Sequence, residues 1–314
     1  MLTEGHPWVQ RADELRAGYQ LPPLSELDRA SSFDLRVHLR PSNAAPVVFV
    51  VGMLHAERIA VDHEVVAAIG DSMGWYTALA ATGSLSFEDA FRLTQEMAIL
   101  QEQPLPEGGP GGQIIYPLTD ASWRPDPKLA GAVEAALAGG NGNIHNSVEL
   151  GGYAVLAGTE DGIGSLLQSL PPVRIGERAF PIRLALQGPY HSPLVAHVAK
   201  AAQQVLADLS WEAPTVTLID GRGARFTPWS TDPAELARYT LNDHVVRPYR
   251  FATALKVALR EYAPEVVLLP GPGNSLGGIC GQVLVAEGYR GIRSRQAFER
   301  VQHGGQPLLL SIRR

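Results

Sequence analysis

Residues 70–74 read Gly-Asp-Ser-Met-Gly, a G-x-S-x-G pattern. The apolar run VVAAI precedes them and the helix-like stretch WYTALAATG follows. A serine between a strand and a helix, flanked by glycines, suits a nucleophile elbow: the small residues let a sharp turn close and Oγ projects free. The N–H of Met73 then opens the helix, where an oxyanion would form. The plainer alternative is a helix-capping serine. A serine nucleophile also needs a base. Three of the nine histidines are candidates. His191, in LQGPYHSPL, has its backbone constrained by Gly-Pro before it and Ser-Pro after it. His145 in NIHNS and His303 in VQHGG are the others. Spacing alone does not choose among them.

The elements that must carry these residues form an α/β pattern. Residues 1–45 are rich in Pro, Ser and charge and read as loops with one or two short helices, for example around ADELRAG. Residues 45–60 suit a strand by their β-branched core and a buried helix by their length. VVAAIG reads as a buried strand, residues 72–83 as a helix closed by Gly83, and residues 86–103 as a helix capped by Ser86. PLPEGGPGG at 104–112 is a breaker-dense linker. Between 113 and 186 the elements run β-α-β-β-α-β, the order of a ferredoxin-like module. Helices and strands alternate after that, which implies an α/β core with a mainly parallel sheet. The expected division is a large domain of residues 1–112 and 187–314, with a small domain of residues 113–186 inserted.

Composition narrows the function classes. At 45% hydrophobic and 18% charged residues, the 314-residue chain is of ordinary globular type. A net charge of −6 with scattered basic residues argues against a nucleic-acid partner. The single cysteine, Cys280, excludes an intrachain disulfide and metal sites built on several thiolates. No metal constellation is visible. GPGNSLGG lacks the acidic residue about 20 positions on that a dinucleotide site wants, so no cofactor is expected. No apolar signal region opens the chain, and no run of about 18 uninterrupted apolar residues occurs, so no membrane span is expected. The default reading is a soluble cytoplasmic protein.

Several ordered segments together resemble one family. GDSMGWYTALAATGSLSFEDAFRL resembles the serine segment of the malonyl-CoA:acyl carrier protein transacylase family, usually written GHSxGE. LQGPYHSPL is similar to its histidine segment, and LPGPGNSLGGI to its late V-G-P-G-x-x-L turn. WEAPTVTLID and YRFATAL fall in the expected order. The resemblance runs from about residue 42 to 285. It implies an α/β-hydrolase-like large domain with an inserted ferredoxin-like small domain. It also implies ping-pong acyl transfer, in a setting of fatty acid or polyketide biosynthesis. Ser72 would carry the acyl group and His191 would act as base, oriented by a main-chain carbonyl near PYRF at 248–251. Met73 would supply one oxyanion N–H. Asn146 and the turn from Gly271 to Gly273 would shape the pocket. The partners implied are acyl-CoA and acyl carrier protein, with coenzyme A or phosphopantetheine as substrate carrier rather than cofactor.

Four departures qualify that expectation. The family's opening strand, whose terminal glutamine supplies a second oxyanion N–H, has no counterpart; only Gln10 or Trp8 stands near its place. The arginine that holds a malonyl carboxylate falls on Met97, or on Glu96 with a shifted gap. A methionine offers only an apolar wall, which points to a neutral or longer acyl group unless Arg250 compensates. The residue before the serine is Asp71 instead of His, expected to point away and bond to nearby backbone. The residue after the second glycine is Trp75 instead of Glu. Other readings stay open: a thioesterase on the same Ser–His framework, a patatin-like Ser–Asp enzyme using Asp220-Gly221, and a catalytically degenerate binding member.

Overall fold

In the computed structural model, which describes residues 2–312, the N-terminal part is more helical than expected. It forms α1 (Pro7–Gly18), α2 (Leu24–Asp28), α3 (Leu35–His38) and the long α4 (Pro41–Asp62). Pro46 lies inside α4 and has no N–H to give the Ser42 carbonyl. That carbonyl instead accepts from Arg16 Nη1 at 2.7 Å and Gln95 Nε2 at 3.1 Å. Arg16 is fully buried and also donates to Pro22 O, Gln95 Oε1 and Asn43 Oδ1. This network fixes which face of α1 turns inward. By length and composition alone α4 could cross a membrane. In this fold it packs on the two helices that follow the elbow, so closely that a Cβ at Gly52 would lie 2.8 Å from Thr77 Cγ2.

The elbow is reached through β1 (Ala68–Ile69) and left through α5 (Gly74–Ala81). The helix α6 (Phe87–Leu100) follows, with Ser86 Oγ accepting from Asp89 N–H. Next come β2 (Gly112–Pro117), α7 (Pro127–Gly139), β3 (Ile144–Glu149), β4 (Tyr153–Gly158) and α8 (Glu160–Ser169). A hairpin of β5 (Val173–Ile175) and β6 (Arg178–Phe180) precedes β7 (Ile182–Arg183). The sheet order is β3-β4-β2-β7, antiparallel throughout. Ile114, Leu156, Ile163 and Leu166 fill the core between this sheet and its helices.

The rest comprises α9 (Ala196–Val205), β8 (Leu218–Ile219), β9 (Arg225–Phe226), α10 (Pro233–Arg238), α11 (His244–Val246) and α12 (Phe251–Val257). After these run β10 (Val267–Leu269), α13 (Ser275–Ala286), α14 (Arg295–Gln302) and β11 (Leu309–Ser311). A π-helical turn, Tyr239–Asp243, joins α10 to α11.

Among the described residues, strand pairing outside residues 113–186 is mainly parallel, as expected, but it is split into two small sheets rather than one. Parallel pairing is limited to β1 with β8 and β10 with β11, each two or three residues long, while β9 pairs antiparallel to β8. The run before the elbow is also not the buried strand expected. Val65 and Val66 are 37% and 41% exposed, and pairing begins only where Ala68 N–H meets Thr217 O. Strand propensity needs a partner to act on, and upstream of Ala68 the ladder has none.

Candidate active site

Ser72 sits on the turn between β1 and α5 with φ +51°, a left-handed conformation that is strained for a residue with a Cβ. Gly70 makes the turn possible, since a Cβ there would fall 2.2 Å from the Gly74 carbonyl carbon. Tyr249 OH donates to Gly70 O from below. Ser72 Oγ lies 2.7 Å from His191 Nε2.

His191 also has a left-handed backbone, φ +52°. Its Nδ1 is 2.6 Å from His244 O. A carbonyl only accepts, so Nδ1 carries the proton and Nε2 presents a bare lone pair to the Ser72 hydroxyl. His244 O is free because it lies in the last turn of α11, and its i+4 partner would be Pro248, which has no N–H. The orienting carbonyl therefore lies just upstream of PYRF, not within it. The antiparallel sheet holds the other side of the loop. Ser147 Oγ on β3 donates to Tyr190 O at 2.8 Å, and Gln113 Nε2 on β2 donates to Ser147 Oγ at 2.7 Å. Tyr249 extends that sheet, its N–H donating to Ser147 O and its carbonyl accepting from Glu149 N–H.

The competing histidines are engaged elsewhere: the ring of His145 with Gly142 O, that of His303 with Glu299 O. Asp220 is fully buried and accepts from Arg222 and from Ala224 N–H. Those bonds occupy the carboxylate that a Ser–Asp dyad would use.

Met73 stands at the N-terminus of α5, as an oxyanion donor requires. Gln10 donates its N–H to His6 O at 3.1 Å. It is exposed on α1, beside Trp8, which stacks on Phe87 at 5.5 Å. Trp8 N–H is taken by His6 Nδ1 at 3.2 Å, so the N–H groups of both residues are engaged at the start of α1. Asp71 also departs from expectation. Its Oδ1 is buried and hydrogen-bonded to no described residue, and burial pushes the carboxyl up to about 7. At neutral pH such a carboxyl is only about half ionised, which weakens its opposition to a nearby oxyanion. Trp75 is fully buried and donates from Nε1 to Thr240 Oγ1 at 2.9 Å, bracing the π-helical turn.

Met97 is 1% exposed in the core of α6. Glu96 faces Tyr19 and Arg92. Arg250 is half exposed, with its Nε 3.3 Å from Glu149 Oε1, and that same oxygen accepts from Asn146 Nδ2 at 3.2 Å. Asn146 and Arg250 are thus brought together through Glu149, a residue no sequence signal singled out. Asn146 Oδ1 is buried with no hydrogen-bond partner among the described residues. Gly271 N–H is taken by His55 Nδ1 at 2.8 Å, and a Cβ there would meet the same ring. Gly273 is exposed, with φ +80°.

Burial lowers His191 to about 4, with the hydrogen bond to His244 O opposing in part. The His191 imidazole is therefore neutral at physiological pH. The rate of Ser72 labelling by a reactive ester or fluorophosphonate should stay flat from about pH 8 to about pH 5, with a midpoint near 4. A midpoint at the ordinary histidine value, about 6.5, would contradict a buried base. Stability changes in a different window. Unfolded histidine takes up its proton near 6.5, so His191 and His244, both lowered by burial, withdraw stability as pH falls below that value. The slope is at most about 1.4 kcal/mol per pH unit for each, so labelling is best followed over short exposures to acid.

Fold and site together describe an α/β protein with a serine on an elbow and a histidine on a separate loop within hydrogen-bond reach of it. No family model matches the chain. Proteins named malonyl CoA-acyl carrier protein transacylase from Salmonella typhimurium and Bacillus subtilis are 25% and 26% identical to it over 217 residues. Each match takes in 68% of this chain, but only 65% and 63% of the relatives, so the chain spans less than two thirds of their length. The acyl-carrier-protein S-malonyltransferase structure from Burkholderia pseudomallei shares the fold, with a TM-score of 0.72 at 20% identity over 98% of this chain and 89% of that one. The chain is thus similar to the malonyl-CoA:acyl carrier protein transacylase family, at identities that mark a distant likeness.

Proposed function

We propose that the protein moves an acyl group between coenzyme A or acyl carrier protein thioesters through a covalent acyl-Ser72. The observation that carries this reading is the 2.7 Å approach of Ser72 Oγ to a histidine whose Nε2 is left bare by its other hydrogen bond. In the first half-reaction Oγ attacks the thioester carbonyl as its proton passes to Nε2. The tetrahedral oxyanion faces Met73 N–H. Collapse expels the first thiol, which takes the proton from His191. A second pantetheine thiol then gives its proton to Nε2 and attacks the acyl carbonyl; collapse expels Ser72 Oγ, which takes that proton back from His191, and the new thioester leaves. Loss of one oxyanion donor typically costs about a hundred- to a thousandfold in rate, so turnover is expected to be slow where α1 supplies no second N–H.

The names of the curated relatives support acyl-CoA and acyl carrier protein as partners. The strand order β3-β4-β2-β7 supports reading residues 113–186 as a ferredoxin-like small domain inserted in an α/β-hydrolase-like large domain. Apolar Met97 and the Glu149-paired Arg250 favour a neutral or longer acyl group over malonyl. An exposed, already paired arginine contributes little, whereas an unopposed fork of donors is what holds a carboxylate.

Intact-protein mass spectrometry after incubation with malonyl-, acetyl- and longer acyl-CoAs tests this reading. A gain of one acyl mass, strongest with a neutral acyl group, absent in Ser72→Ala and discharged by a holo carrier protein, is expected. No gain with any member of the panel would end it. Release of free acid that added carrier thiol does not accelerate would move the assignment to hydrolysis.

A further inference from the structure

We infer that Ser147, with Gln113 behind it, is a positioning residue for the base: its hydroxyl pins the main chain of His191 in the strained conformation that brings Nε2 to Ser72. This rests on the acyl-serine reading above. The strand β3 is irregular where Ser147 stands. Asn146 pairs with Leu156 of β4 and Val148 with Val155, so Ser147 is an extra residue with no partner across the ladder. A bulge of this kind re-aims a side chain out of the regular alternation. Ser147 is fully buried, and its Oγ donates to Tyr190 O at 2.8 Å. A carbonyl only accepts, so the one hydroxyl proton is committed there. Gln113, 4% exposed on β2, must then face Ser147 with its amide nitrogen. Its Nε2 donates to Ser147 Oγ at 2.7 Å and reaches Tyr190 O itself at 3.4 Å.

The peptide that enters His191 carries Tyr190 O, and its orientation relative to the imidazole depends on φ of His191, which is +52°. In that left-handed region Cβ crowds the main chain, and rotation about N–Cα relieves the strain. Such a rotation swings either the ring away from Ser72 or the carbonyl away from Ser147. The ring is held at Nδ1 by His244 O at 2.6 Å. Ser147 holds the carbonyl, so the strained conformation is fixed from both ends.

The same residue reaches the nucleophile turn through its main chain. Ser147 O accepts from Tyr249 N–H at 2.8 Å, and Tyr249 OH donates to Gly70 O. One bulged residue thus ties the base loop to the elbow, with its side chain on the first and its carbonyl towards the second. A side-chain substitution breaks the first tie and spares the second.

Ser147→Ala removes the donor; Ser147→Thr keeps a hydroxyl on a side chain that suits a strand. The measurements are the maximal rate of Ser72 labelling by a fluorophosphonate, the half-saturating probe concentration, and the thermal midpoint. Ser147→Ala is expected to fold and to label about a hundredfold more slowly, the scale of an ångström-level misplacement, with half-saturation unchanged. Ser147→Thr should recover most of that loss. Gln113→Leu should slow labelling by less than Ser147→Ala, because the bond to Tyr190 O survives. A purely structural role would instead shift the midpoint and leave the labelling rate of the folded protein alone. Labelling of Ser147→Ala at the parent rate, or a folded Thr variant as slow as Ala, overturns the inference. Ser147→Cys, close in shape with only a weak donor, takes the place of Ala should that variant fail to fold. If the parent is not labelled at Ser72, the acyl-serine reading falls first, and this inference with it.

Discussion

Replacing His191 should lower the acylation rate of Ser72 by about a millionfold, the scale seen when a nucleophile–base unit loses either member. The size follows from the geometry. Oγ is a poor nucleophile until its proton has somewhere to go, and at 2.7 Å the bare Nε2 is the acceptor in place. Alanine at 191 is an imperfect probe, because φ there is +52° and a Cβ disfavours that conformation. His191→Asn is cleaner, since asparagine tolerates left-handed backbone and has no basic nitrogen. Both variants should fold, bind the acyl donor and fail to form the acyl-serine burst. Survival of activity within tenfold of the parent would mean that another group takes the proton. Asp220 is a poor substitute while Arg222 and Ala224 hold it.

The sequence reading succeeded where neighbouring residues dictate the backbone. Glycines around Ser72 and the Gly-Pro and Ser-Pro flanks of His191 mark sharp, constrained turns, and both side chains meet as expected. The first five elements expected in residues 113–186 are legible because they are six to thirteen residues long and cleanly bounded, whereas the single last strand expected is instead the short β5–β6 hairpin followed by two-residue β7. What failed depended on distant partners. VVAAI has strand composition, yet β1 is two residues long because only Thr217 and its neighbours offer a ladder. Chain position points to Gln10, but its N–H is claimed by His6 O in the first turn of α1. His244 was missed although a signal exists: a residue four before a proline at a helix end has an unclaimed carbonyl. Finding the histidine it meets needs the fold, since the two lie 53 residues apart. Glu149, which joins Asn146 to Arg250, carries no local mark at all.

The two glycines of the G-x-S-x-G pattern should respond oppositely to alanine. At Gly70 a Cβ would lie 2.2 Å from Gly74 C and 2.3 Å from both Gly74 O and Trp75 N. All three are main-chain atoms of the first turn of α5, so no side chain can rotate away. Overpacking usually costs about 1–3 kcal/mol. Here relief requires moving the helix start that carries Ser72 and Met73, so Gly70→Ala should reach the top of that range or exceed it, and labelling should fall by at least about a thousandfold. At Gly74 a Cβ meets nothing within 4 Å and φ is not positive. Gly74→Ala should therefore keep the thermal midpoint or raise it, by the few tenths to about 1 kcal/mol that a less flexible unfolded chain provides. Calorimetry and labelling rates of the two variants decide the matter. A stable, reactive Gly70→Ala protein, or an unfolded Gly74→Ala one, would contradict the elbow geometry. If Gly74→Ala folds normally but accepts acyl donors poorly, the second glycine is kept small for the bound acyl group, not for the turn. The pattern would then combine a folding requirement at its first position with a substrate requirement at its last.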